Sequence, residues 1–306
     1  MYQLTNLPTD QAGMDNLRDL FIRNYKFTGL PHYLFVHFDL WRFQIHLLAK
    51  TSPGFFRENA RVWWADDQTA TGFLYSETGE QDFSLVVDHR HGQLTRAILA
   101  WITDNWKPAY RQLSTCHYTY LDDTVLLTSG FRKDNRLAAC LEFDLPGPTC
   151  REPAGYPIES IAQSKKYSTQ YQARMLCFAD NPGPVTTKQL ELYTCLRQAP
   201  CYREEFDLYI LLDNQHVSSC LILVEPAQKA AVIESVCTLP AYRRRGLASA
   251  MIRHALYLLQ AQGYRKAYLY SETGYTYHLY KSLDPAREHL LYAYKFDREN
   301  QQEETR

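Results

Sequence analysis

No run in the 306-residue sequence approaches the roughly 18 apolar residues that a membrane-spanning helix needs. Its start, MYQLTNLPTD, has neither the basic residues nor the apolar core of a secretory signal. A soluble, cytoplasmic protein with no membrane partner is the expectation. Excess charge is also missing: at a formal −1, no overall positive field draws nucleic acid, and no nucleic acid is expected as a partner. The eight cysteines (Cys116, Cys140, Cys150, Cys177, Cys195, Cys201, Cys220, Cys237) include no CxxC pair, so neither a zinc site nor a thioredoxin-like centre is expected. Free thiols in a reducing compartment are the plainer reading. What the chain does have is 45% apolar and 14% aromatic residues, enough to bury a core. Its length fits two domains at roughly 150 residues each.

The clearest break is LPGPTCREPAGYP, Leu145 to Pro157, where four prolines and two glycines interrupt any regular element and mark a linker. The same pattern lies on each side of it: a helical region, a strand hairpin, another strand, a long amphipathic helix and a strand-rich ending. In the second half, FDLYILLD and VSSCLILV flank the turn Asp213 to His216, and AVIESVCTL follows. In the first half RVWWA, ATGFLY and DFSLVV stand in the same order. Matching Gly92 to Gly246 and Leu126 to Leu279 gives intervals of 34 and 33 residues, which points to a repeat. After Gly246, Leu247, Ala250, Met251, Ala255, Leu258 and Leu259 fall on one helical face, and Gly263 can end the helix. After Gly92, Leu94, Ala97, Ile98, Trp101 and Ile102 do the same. Both stripes read as core, as do Trp63, Trp64 and Trp101.

The segment ESVCTLPAYRRRGLASAMI, Glu234 to Ile252, joins a strand to an amphipathic helix through a short basic turn. The first amides of such a helix have no intrahelical partner, and its dipole adds partial positive charge, so an anion is the natural guest. Gly246 and Ala248 are small enough to let phosphate oxygens approach the backbone. Three arginines beside the positive end of a dipole cost stability unless an anion is expected there.

These residues resemble the signature of the GCN5-related N-acetyltransferases (GNATs): Gln or Arg, any two, Gly, any one, then Gly or Ala, here Arg243 to Ala248. The likeness runs from about Gln163 to Phe296. It implies acetyl-CoA as co-substrate and no metal, with the pyrophosphate held by Arg243, Arg244, Arg245, Gly246, Leu247, Ala248 and Ser249. The backbone of Val236, Cys237 and Thr238 would pair with the pantetheine arm like an added strand. An aliphatic ammonium, with a pKa near ~10.4, must lose a proton before it attacks. Glu234 is the candidate base; on an alternating strand it shares a face with Val236 and Thr238. Glu272 is a rival. Tyr280, in HLYKSL, matches the family's tyrosine and is the candidate donor to the departing thiolate. After it the family has Gly-Phe where this chain has Leu283-Asp284, which puts the local turn in question.

In the first half, His89 stands where Arg243 does, Leu94 where Ala248 does and Leu127 where Tyr280 does, so a degenerate, non-catalytic copy is expected. His89 and His91 read as surface residues rather than metal ligands. The chain is therefore expected to be α/β with mixed (α+β) sheets: two tandem GNAT-like acyl-CoA N-acyltransferase domains, 1–144 and 158–306, joined by 145–157. The second would acetylate a primary amine of a small molecule or peptide. The first would cover part of the acceptor cleft or mediate association, which allows a homodimer. A non-catalytic acyl-CoA-binding or scaffold protein is the alternative.

Overall fold

A computed structural model describes residues 2–44, 52, 54–118, 123–145, 156–178, 186–272 and 274–298. In chain order, the first half holds β1 (Gln3–Thr5), α1 (Gln11–Thr28), α2 (Phe35–Gln44), α3 (Phe55–Asn59), β2 (Ala60–Trp64), β3 (Ala70–Tyr75), β4 (Asp82–Val87), α4 (Leu94–Asn105), β5 (Gln112–Tyr118), α5 (Asp123–Thr128) and β6 (Arg132–Asp144). The second holds β7 (Ile158–Ser160), α6 (Ile161–Ser164), α7 (Tyr167–Phe178), α8 (Thr187–Leu196), β8 (Asp207–Leu212), β9 (Gln215–Glu225), β10 (Ala230–Thr238), α9 (Leu247–Ala261), β11 (Lys266–Glu272), α10 (Tyr275–Lys281) and β12 (Arg287–Asp297). The linker expected at 145–157 lies mostly outside the described residues.

Two compact units form, and neither is contiguous in sequence. The described residues of Met1–Phe35, Leu48–Ala138 and His289–Arg306 make the first; those of Val36–Leu47 and Ala139–Glu288 make the second. A division into 1–144 and 158–306 does not include this exchange. Within the first unit, β1 to β4 pair antiparallel in order, β4 runs parallel to β5, and β12 pairs antiparallel with β5 over Leu291–Asp297. Tyr294 and Phe296 of β12 enter that unit's core beside Ile98, Ile102 and Leu113.

In the second unit the order is β7, β8, β9, β10 and β11, antiparallel except for the parallel β10–β11 pair. Residues 139–144 of β6 lie beside β11, where Lys266 pairs with Glu142 and Asp144. His37 of α2 hydrogen-bonds the Tyr270 hydroxyl of β11 at 3.0 Å, which ties this early segment to the unit. Each unit's β–α–β crossover, β4–α4–β5 and β10–α9–β11, brings two parallel strands together under one helix.

The local reasons match the residue types. Asp213 and Asn214 both take left-handed backbone, so β8 and β9 are joined by a two-residue hairpin, with Leu212 opposite Gln215. Gln215 and His216, expected in the turn, are strand residues. Helix α9 buries Leu247, Met251, Ile252, Ala255, Leu256 and Leu259, so the expected stripe is turned: Ile252 and Leu256 belong to it, and Ala250 and Leu258 are only half-buried. Gly263, at φ 79°, follows its end. Opposite α9, a buried polar cluster anchors α7 and α8 to β8: Asp207, fully buried, accepts from Arg174 (2.6 Å), Gln170 (3.0 Å), Tyr193 (2.6 Å) and Tyr202 (3.0 Å). Such a set stabilises only while every member is paired.

Candidate active site

The basic turn is built by two left-handed residues. After β10, Pro240–Tyr242 form one 3-10 turn, and the Tyr242 and Arg243 amides donate to the carbonyls of Leu239 and Pro240. Arg244 and Gly246 then adopt φ of 64° and 80°, which swings the chain into α9 with Gly246 at its cap position. No side chain caps this end. The Leu247 to Ser249 amides therefore keep their donor capacity at the positive pole of a fifteen-residue helix. A Cβ on Gly246 would meet no atom within 4 Å. The requirement for glycine is thus the positive φ, and the space beside it is open.

The arginines are held in different ways. Arg243 donates to the Thr238 carbonyl through Nε and to the Cys177 carbonyl through Nη2, both at 3.1 Å, so it joins the strand end to the end of α7. The Arg244 guanidinium lies over the Tyr275 ring at 5.4 Å. Arg245 lies over Tyr242 at 5.1 Å and donates to the Ala241 carbonyl.

Strands β10 and β11 separate at this end. Their parallel pairing runs from Ala230/Lys266 to Ile233/Leu269 and goes no further, whereas β10 stays paired with β9 as far as Thr238. One edge of Glu234 to Thr238 is thereby left without a strand partner among the described residues. A bulge sits at the fork. Glu234 opposes Leu221 and Cys237 opposes Ser219, one residue too many on β10, and Ser235 takes φ 51°. Glu234 and Thr238, which opposes Ser218, therefore do not share a face, contrary to the simple alternation expected from sequence.

A cavity of about 500 Å³ opens at the junction. It is lined by nine of the ten residues matched to the cofactor signature: Val236, Cys237, Thr238, Arg243, Arg244, Gly246, Leu247, Ala248 and Ser249. Arg245 is not among them. Tyr280 lines it too, on the buried face of α10. The wall is completed by residues outside that signature: Cys177 and Phe178 at the end of α7, Tyr242, and Tyr275, Thr276 and Leu279 on α10. Thr276 lies four positions before Tyr280, so helical spacing was a usable signal for it. The end of α7 offered none. The turn after Tyr280 forms without the family's Gly-Phe: Leu283 is buried and its amide bonds the Tyr280 carbonyl, while Asp284 takes φ 61°.

Glu234 does not line the cavity, yet it lies near enough to act on Tyr280. Burial pushes its carboxyl up to about 7, against the lowering effect of a hydrogen bond from the Ser235 amide. No cation contributes to this balance. Burial likewise raises the Tyr280 phenol above its usual range, with Cys220, Glu234 and Cys237 adding to the effect. The phenol stays protonated at neutral pH. Glu272, the rival carboxylate, is exposed.

The corresponding turn of the first unit is built otherwise. His89–His91 form a 3-10 turn, Gly92 is right-handed, and Asp88 is fully buried, paired with Arg23 and Arg90. Those cations and the Arg90 amide hold its carboxyl below the usual range despite burial. Leu94 is buried at the start of α4, and Leu127 faces solvent. His89 stacks on Phe27 and His91 bonds the Tyr2 hydroxyl.

Residues 171–284 match the model of the acetyltransferase (GNAT) family. This segment is a GNAT domain. Solved GNAT structures extend the likeness of fold over nearly the whole chain. A GCN5-related N-acetyltransferase from Sphaerobacter thermophilus is 18% identical, with a TM-score of 0.59 over 97% of this chain and 95% of that one. A tandem GNAT protein from the clavulanic acid biosynthesis pathway, solved without AcCoA, is 10% identical, with a TM-score of 0.60 over 97% and 99%. A GNAT-family acetyltransferase from Colwellia psychrerythraea is also 10% identical, with a TM-score of 0.60 over 96% and 100%. No curated protein matches the sequence. Among the described residues, no helix is long and apolar enough to cross a membrane, and no group of histidine, cysteine and carboxylate side chains could hold a metal ion.

Proposed function

We propose that the GNAT domain of the second unit moves an acetyl group from acetyl-CoA to a primary amine by direct attack of the amine. The observation that carries this reading is one cavity bounded by an uncapped helix N-terminus, an unpaired strand edge and a protonated tyrosine. The first suits a diphosphate, the second an extended amide-bearing arm and the third a departing sulfur. When bound, acetyl-CoA supplies the activated thioester.

The chain's own residues do the rest. The Leu247 to Ser249 amides and the Arg243 and Arg244 cations bind the diphosphate, and the free edge of Val236 to Thr238 orients the arm. Glu234, with a pKa near neutrality, takes the proton of the ammonium directly or through water. Tyr280 keeps its proton and donates a hydrogen bond to the sulfur as negative charge develops there. The first unit takes no cofactor in this reading, because the buried carboxylate of Asp88 stands beside the turn that would need to accept phosphate.

The test is CoA release from acetyl-CoA over a panel of amines: small amines, amino acids, and peptides with free N-termini or lysines. Turnover with at least one class, lowered by Tyr280→Phe, supports the reading. Binding of CoA without turnover for any amine, unchanged in that variant, makes the domain a binding module instead.

A further inference from the structure

Two thiols share the cavity wall. Cys177 lies in the last turn of α7 and Cys237 on β10 just beyond the bulge; both line the cavity, and Arg243 bridges the Cys177 carbonyl and the carbonyl of Thr238, the neighbour of Cys237. Each is more than nine-tenths shielded, so the cavity is their route to small solutes. The pair is also held from both sides. Arg243 donates to the Cys177 carbonyl, and Arg174, locked on Asp207, holds the middle of the same helix.

The two sulfurs are unlike. The Cys237 side chain, together with the charges of Arg243 and Arg174, lowers the Cys177 pKa against the effect of burial. The Cys177 side chain, with burial, raises that of Cys237. One sulfur is thus favoured as the attacking thiolate, and its neighbour waits as a thiol within reach.

From this placement we infer that Cys177 and Cys237 form a modification site in the cofactor cavity, a dithiol that hydroperoxides oxidise to an intramolecular disulfide. The Cys177 thiolate attacks a peroxide oxygen. The O–O bond breaks, and the sulfur becomes a sulfenic acid as the peroxide is reduced. Cys237 then attacks that sulfur: an S–S bond forms, the S–O bond breaks, and the leaving hydroxide takes the thiol proton as water. With hydrogen peroxide the sum is two thiols and one peroxide giving one disulfide and two waters. A bridge needs the sulfurs to close to about 2.05 Å, and the two thiols stand on facing elements of one cavity wall. CoA in the cavity screens the pair.

The experiment treats the reduced full chain with hydrogen peroxide, alkylates the remaining thiols, and maps peptides by mass spectrometry with and without saturating CoA. The expected result is a Cys177–Cys237 linked peptide lighter by two hydrogens and reversed by a dithiol. It is lost in Cys177→Ser and in Cys237→Ser, and forms at least ~10-fold more slowly with CoA. Both cysteines remaining alkylatable in the wild type, or linked to other partners, overturns the inference, and this readout does not depend on the variants folding. A linked peptide that forms at the same rate with CoA leaves the dithiol standing and overturns the placement of CoA beside it, which is a failure of the proposed cofactor site and not of the thiol pair.

Discussion

Replacing Glu234 by glutamine should slow the enzyme and stabilise the protein at the same time. Its carboxyl is pushed up from 4.5 to about 7 by burial, and the folded state therefore resists its ionisation. At 1.36 kcal/mol per unit, the shift corresponds to about 3 kcal/mol for a group wholly withdrawn from solvent. The side chain is half-buried, and screening reduces this to about 1–2 kcal/mol. Because the folded pKa lies above the unfolded one, the folded state binds more protons between pH 4.5 and about 7. Stability is therefore complete below that window and is lost as pH rises through it. Glutamine cannot ionise. Thermal melts at pH 8 should place the variant above the wild type by roughly 2–8 °C, and the gap should shrink towards zero near pH 4.5. In parallel, kcat/KM of the wild type should rise as pH passes about 7, while the variant shows a lower rate that lacks this rise. A melting difference that is absent at pH 8, or equal at both pH values, would refute the desolvation argument. A variant that keeps the wild-type rate and profile would remove Glu234 from the mechanism.

Tyr280→Phe should lower turnover by about 10²-fold with little change in CoA affinity by calorimetry, whereas equal losses in both would mark a packing role. Gly246→Val should abolish CoA binding, because the side chain fills open space and φ of 80° costs a branched residue at least about 1–2 kcal/mol; a folded variant that binds as tightly as the parent contradicts the diphosphate geometry. Asp207→Ala should destabilise the second unit by about 3–5 kcal/mol in denaturant titration, since it leaves the Arg174 guanidinium buried without its counter-ion. A loss below about 1 kcal/mol would mean that the cluster repairs itself with water.

What could be read from the sequence is what neighbouring residues do together. Arg243 to Ser249 form a strand-to-helix turn, and its character depends on Gly246, the following helix and the local amides, so consecutive letters carry it. The hairpin at Asp213-Asn214 is legible for the same reason, and so in part are the stripes of α4 and α9, although Ala97, read as core, is exposed and Ala250 and Leu258 are only half-buried. Tyr280 is legible through its likeness to a family motif. The bulge at Ser235 is not, because nothing in ESVCTL records that β9 offers one residue fewer than β10 supplies. That count belongs to two strands at once, and it changes which face each later side chain takes. The attachment of β12 to the first unit, the bond of His37 to Tyr270, the clamp on Asp207 and the meeting of Cys177 with Cys237 likewise join positions far apart in the chain. Local pattern fixes an element's own shape and polarity. Only packing, which selects among many distant partners by the surface they bury and the polar groups they satisfy, decided which side chains share the cavity.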